Sequence, residues 1–128
     1  MKSLDQQFTD LQRAYPDATL TAVGSGTYVV RVPSVALPEG WSQPTTRIVF
    51  VVPNGYPYAA PDCFWADATL RLANGGLPQN SGLGNIIHGH SEPDTWWFSW
   101  HVNNAWNASN CNLLTYMNII LNRLRAVQ

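Results

Sequence analysis

The chain has 128 residues, enough for one domain with a real core and too few for a second, so a single domain over residues 1–128 is expected. Hydrophobic residues make up 45% and charged residues only 12%, about half the usual share, which leaves the surface to Asn, Gln, Ser and Thr. A net charge of −1 excludes the clustered Lys and Arg that nucleic acid or an anionic membrane requires.

The first residues carry Lys2, Asp5, Gln6 and Gln7 where a signal peptide needs an apolar stretch, and no apolar run has the length of a membrane span. A cytoplasmic protein without membrane contact is the expectation. Ser3 followed by Gln6 is a capping box, and Leu4, Phe8, Leu11 and Tyr15 recur at helical spacing until Pro16, predicting a helix over 4–15. Residues 19–23 and 27–32 are β-rich runs separated by Gly24, Ser25 and Gly26, a link suited to a hairpin.

Residues 33–46 hold Pro33, Pro38, Gly40 and Pro44, the marks of an ordered loop, with Trp41 expected to fold back onto the sheet. Residues 47–52 read as the third strand. Residues 53–61 contain Pro53, Pro57 and Pro61, and each ring holds its own φ and restricts the residue before it. A stiff turn therefore leads into a fourth strand at 63–65.

From 66 to 95 the sequence loses hydrophobic period, and a long irregular stretch inside a small domain is more often functional than idle. Residues 96–101 form an aromatic cluster. A last helix buries Leu113, Met117, Ile120 and Leu124, with Asn110 or Asn112 as its cap. Strands in meander order with helices at the ends indicate an α+β domain.

Tyr56-Pro57-Tyr58 with Pro61, and Trp106 followed seven residues later by an apolar helix, resemble the ubiquitin-conjugating (UBC) superfamily in order and over almost the whole chain. The resemblance implies a UBC-like fold: an N-terminal helix, a four-stranded antiparallel meander, a long active-site loop and a C-terminal helix. It also implies transthiolation, in which a cysteine takes the C-terminus of a ubiquitin-like protein from an activating enzyme and an amine attacks the thioester. The run Trp97-Phe98-Ser99-Trp100-His101 with Trp106 resembles a bacterial branch whose genes lie beside those for ubiquitin-like proteins, activating enzymes and JAB-type peptidases. Those proteins are the implied partners; no cofactor is implied.

The family's cysteine lies about eight residues before its Trp, a count that reaches Phe98, and no cysteine occurs between Ala66 and Asn110. Cys63 falls within the expected fourth strand and reads as a packing residue. Cys111, at the start of the last helix, is the candidate nucleophile, because unpaired backbone N–H groups there stabilise a thiolate; a small inert residue is the competing reading. His101 is the candidate acid or base, against a histidine packed among tryptophans. Asn74 in Leu72-Ala73-Asn74 stands nearest to the family's His-Pro-Asn oxyanion motif, although Asn-Gly is also a common turn.

His88, His90, Glu92, Asp94 and His101 gather ligand-type residues, but Gly89 and Pro93 make this a loop and no metal site is expected there. Two further readings remain open. One is a UBC variant without catalysis that binds a ubiquitin-like protein or activating enzyme. The other is a carbohydrate- or peptide-binding domain whose aromatic platform would expose two or more coplanar rings.

Overall fold

The computed structural model describes residues 2–83, 87, 90, 92–102 and 106–128. Helix α1 (Leu4–Ala14) starts at the expected capping box, Ser3 and Gln6 exchanging side-chain and backbone hydrogen bonds, and ends at Tyr15 just before Pro16. Strands β1 (Thr19–Gly24), β2 (Thr27–Ala36), β3 (Thr45–Val52) and β4 (Phe64–Asp67) follow in order. Helix α2 (Leu113–Arg125) closes the chain and is capped by Asn112, whose side chain accepts from the Thr115 amide.

The architecture is α+β, as expected, but the four-stranded meander requires correction. Among the described residues the sheet has six strands, in the order β1-β2-β3-β4-β6-β5, with β5 at Ser81–Gly82 and β6 at Thr95–Phe98. All pairings are antiparallel. The aromatic run hides β6 because both faces of the sheet are apolar at this point. Trp96 and Phe98 face the helices with Phe64 and Ala66, whereas Trp97 faces the other way with Trp65, Val49 and Ile87.

The helices cover one face of the sheet. Leu113, Met117, Ile120 and Leu124 are buried as the helical spacing requires, together with Leu11, Ile48, Phe50 and Phe64. Trp41 joins this core rather than lying loose on the surface, and its indole N–H donates to the Leu124 carbonyl at 2.7 Å. It satisfies a carbonyl at the helix end that has no partner within the helix.

Polar groups inside the core were not visible as periodicity. The buried Gln7 side chain accepts from the Leu113 amide at 3.2 Å and from the Tyr56 hydroxyl, joining the start of α2 to α1 and to the proline turn. That turn contains a cis Tyr56-Pro57 peptide. Among the described residues no helix is long and apolar enough to cross a membrane.

On the opposite face, Glu92 meets Arg47 at 2.7 Å, Arg31 at 3.3 Å and His90 at 3.1 Å. Burial alone would push the Glu92 carboxyl up; hydrogen bonds from His90 and Arg31 and the charges of Arg47 and Arg31 outweigh it and hold the carboxyl below its ordinary value. A folded value below the unfolded one stabilises the protein above the ordinary carboxylate range, and that contribution is lost as pH falls through the folded value. Glu92→Gln is therefore expected to be less stable than the parent near neutrality and to flatten the acid limb. Urea unfolding across a pH series checks this, and parallel acid limbs would remove Glu92 as a source of acid sensitivity.

Candidate functional site

Two thiols flank the N-terminal half of α2, and their surroundings differ. Cys111 lies one residue outside the cap of α2, in a turn closed by its own amide donating to the Asn107 carbonyl at 2.7 Å. The Asn107 amide in turn donates to its Sγ at 3.3 Å. The thiol is half-buried and lines a groove of about 330 Å³ with Lys2, Gln6, Gln7, Ser109 and Asn110.

Tyr56 of the proline turn lies beside Gln7 and Cys111, two of the residues that line the groove. The Trp106 indole donates to the Pro57 carbonyl at 2.7 Å, and its ring lies 5.8 Å from that of Tyr56. Burial, and secondarily the Cys111 thiol beside it, push the Tyr56 hydroxyl up. Tyr56 thus stays a neutral donor to Gln7.

The helix amides expected to serve Cys111 have other partners. The Leu113 amide donates to Gln7 and the Thr115 amide to Asn112. Placing the cysteine at N′ rather than inside the first turn is the reason: from there its Sγ meets the Asn107 amide instead.

Cys63 stands just before β4, not within it as expected, and its φ of 61° is the left-handed conformation that side chains other than glycine rarely adopt. Its amide donates to the Trp100 carbonyl at 2.9 Å, and its carbonyl accepts from the Tyr116 hydroxyl at 2.7 Å. Burial pushes the thiol up; a backbone hydrogen bond from Trp100 opposes this, the Asp62 charge adds to it, and a hydrogen bond from the Trp97 side chain opposes it. Ligand atoms of Asp62, Cys63 and His101 all lie within 4.8 Å of one another.

His101 is therefore not packed among tryptophans. It is exposed, with Nδ1 against an Asp62 carboxylate oxygen. It is not among the residues that line the Cys111 groove. The antiparallel pairing of β4 with β6, in which Phe64 faces Phe98, carries it to Cys63 instead.

Asn74 lies elsewhere. Its side chain accepts from the Gly76 amide at 2.8 Å, closing the turn that Asn-Gly predicted, and the adjacent Ala73 amide donates to Gly40 at 2.7 Å. Gly40 precedes Trp41, which reaches Leu124 at the C-terminal end of α2. A helix of 13 residues spans roughly 20 Å, so the Asn74 turn is tethered at the far end of α2 from Cys111.

The other candidates resolve as follows. His90 and Glu92 belong to the half-buried ion cluster with Arg31 and Arg47, and His88 lies outside the described residues. Trp41, Trp65 and Trp96 are buried, and Trp97, Trp100 and Trp106 are half-buried, so the tryptophans form no platform of exposed rings. No curated protein and no solved structure matches the chain. A family model does match: that of prokaryotic E2 family E, over residues 5–127.

Proposed function

Because this chain belongs to prokaryotic E2 family E, we propose that it accepts a ubiquitin-like protein from an activating enzyme in a bacterial modification pathway and carries it as a thioester on Cys111. In this reading the domain is UBC-like, with the activating enzyme and the ubiquitin-like protein as direct partners and a JAB-type peptidase as a further one. The observation that supports it is the half-buried Cys111 thiol opening into a polar groove of about 330 Å³. In this reading the extended C-terminal tail would lie in the groove, where the polar side chains of Gln6, Ser109 and Asn110 line the wall.

The step is an exchange of one thioester for another. The Cys111 sulfur forms a bond to the acyl carbon, the activating enzyme's sulfur leaves, and the proton lost by Cys111 returns to that leaving thiol. In this reading the transfer rests on Cys111, and His101 and Asn74 are not among the residues that line its groove.

One observation favours a second reading, a variant that binds without catalysis. The Leu113 and Thr115 amides, the natural donors to an oxyanion at this helix start, are engaged by Gln7 and Asn112. Incubation with the ubiquitin-like protein, the activating enzyme and ATP, followed by non-reducing mass spectrometry, separates the two. A thiol-sensitive adduct lost in Cys111→Ser and kept in Cys63→Ser is the expected result. Loss in Cys63→Ser alone would overturn the assignment, and binding with no adduct would establish the second reading.

A further inference from the structure

We propose that Asp62, Cys63 and His101 form a divalent transition-metal site, with zinc as the ion that fits best. The proposal concerns the second thiol and does not depend on the reading of Cys111.

The three residues are brought together by the sheet. Asp62 and Cys63 enter β4, and His101 lies three residues beyond β6, the strand paired antiparallel with β4. One sulfur, one imidazole nitrogen and one carboxylate oxygen then lie within 4.8 Å of one another. Around zinc, bonds of about 2.3 Å to sulfur and about 2.0–2.2 Å to nitrogen and oxygen put neighbouring ligand atoms roughly 3.5 Å apart. Binding an ion would draw the sulfur toward the other two ligand atoms and replace the hydrogen bond between His101 and Asp62 with a bond from each to the ion.

The parts divide into one fixed ligand and two adjustable ones. Cys63 is held on both sides of its peptide, by Trp100 and by Tyr116, with its φ at 61°. The side chains of His101 and Asp62 are 56% and 63% exposed and have room to turn toward the sulfur. A thiolate and a carboxylate balance the charge of a divalent cation, and a sulfur, nitrogen and oxygen set selects zinc over magnesium or calcium. Cation binding would release the Cys63 proton to solvent, converting a thiol beside a carboxylate into a ligand.

Three protein ligands leave a fourth position for water or for a group from a docked partner. The ion would also fasten the end of the proline turn to the segment after β6, two parts of the chain 39 residues apart.

Cobalt(II) titration of the reduced, metal-stripped protein tests this without reference to transfer activity. The expected result is a thiolate-to-cobalt charge-transfer band that saturates at one equivalent and is displaced by zinc. The band should vanish in Cys63→Ser and persist in Cys111→Ser. In His101→Ala and Asp62→Asn, both at exposed positions where the fold is expected to survive, affinity should fall at least about tenfold. Absence of the band in the parent protein would overturn the proposal. So would its persistence in Cys63→Ser, or unchanged affinity in both exposed variants.

Discussion

Phe50→Ala is expected to destabilise the protein by about 3–5 kcal/mol, a large part of the roughly 5–15 kcal/mol by which a domain of this size is stable. Phe50 is fully buried in β3, where its neighbours on the helix face are aliphatic and aromatic side chains drawn from both helices and the sheet. Its ring meets Tyr116 edge-on, with centroids 5.0 Å apart and planes at 66°. Removing it costs the transfer energy of the ring and also leaves a cavity that a sheet held by two neighbouring strands cannot close.

The effect should reach the site. Tyr116 holds the Cys63 carbonyl through its hydroxyl, so a ring that loses Phe50 loosens the support under Cys63. A double-mutant cycle with Tyr116→Phe, read by urea unfolding, should show coupling above about 0.5 kcal/mol. Additive effects would separate the core from the Cys63 support, and a loss below about 2 kcal/mol for Phe50→Ala would mean that the core refills the space.

Arg123→Ala should cost about 3 kcal/mol, an unusual loss for a charged residue on a terminal helix. Arg123 is only 2% exposed, and its guanidinium donates to the carbonyls of Gln79, Ala126 and Gln128 at 2.8–3.0 Å. It also lies over the rings of Phe98 and Trp100, at 5.3 and 5.4 Å from their centroids. Three acceptors lose a charged donor at once, and two aromatic faces lose a cation.

Arg123→Met keeps most of the volume but none of the hydrogen bonds, and is expected to recover less than half of the loss. Urea midpoints of the two variants measure this difference. If methionine restored full stability, packing rather than hydrogen bonding would be the contribution of Arg123.

The helices and the first three strands were legible in the sequence because their signals are local. The Ser3–Gln6 box and Pro16 mark helix ends, the stripe from Leu113 to Leu124 reports one buried face, and the continuous β-branched and aromatic run of β3 reports a strand within a few residues. The resemblance to ubiquitin-conjugating proteins agrees with the family match over residues 5–127, and it too rested on local motifs in order. β6 escaped because two apolar faces erase alternation, and β5 because two residues carry no period.

The sequence by itself determined the α+β class, the family, the Ser3 cap of α1 and the stiff turn around Tyr56 and Pro57, since each follows from local motifs, whereas the structure chose Asn112 over Asn110 as the cap of α2. Only the tertiary structure decided which thiol meets which partner. Asp62 and His101 are 39 residues apart and meet because β4 and β6 pair; Asn74 and Cys111 are nearly as far apart in sequence and are carried to opposite ends of α2. Side chains that act together are chosen by strand pairing and helix length, and neither is written in the spacing of the residues themselves.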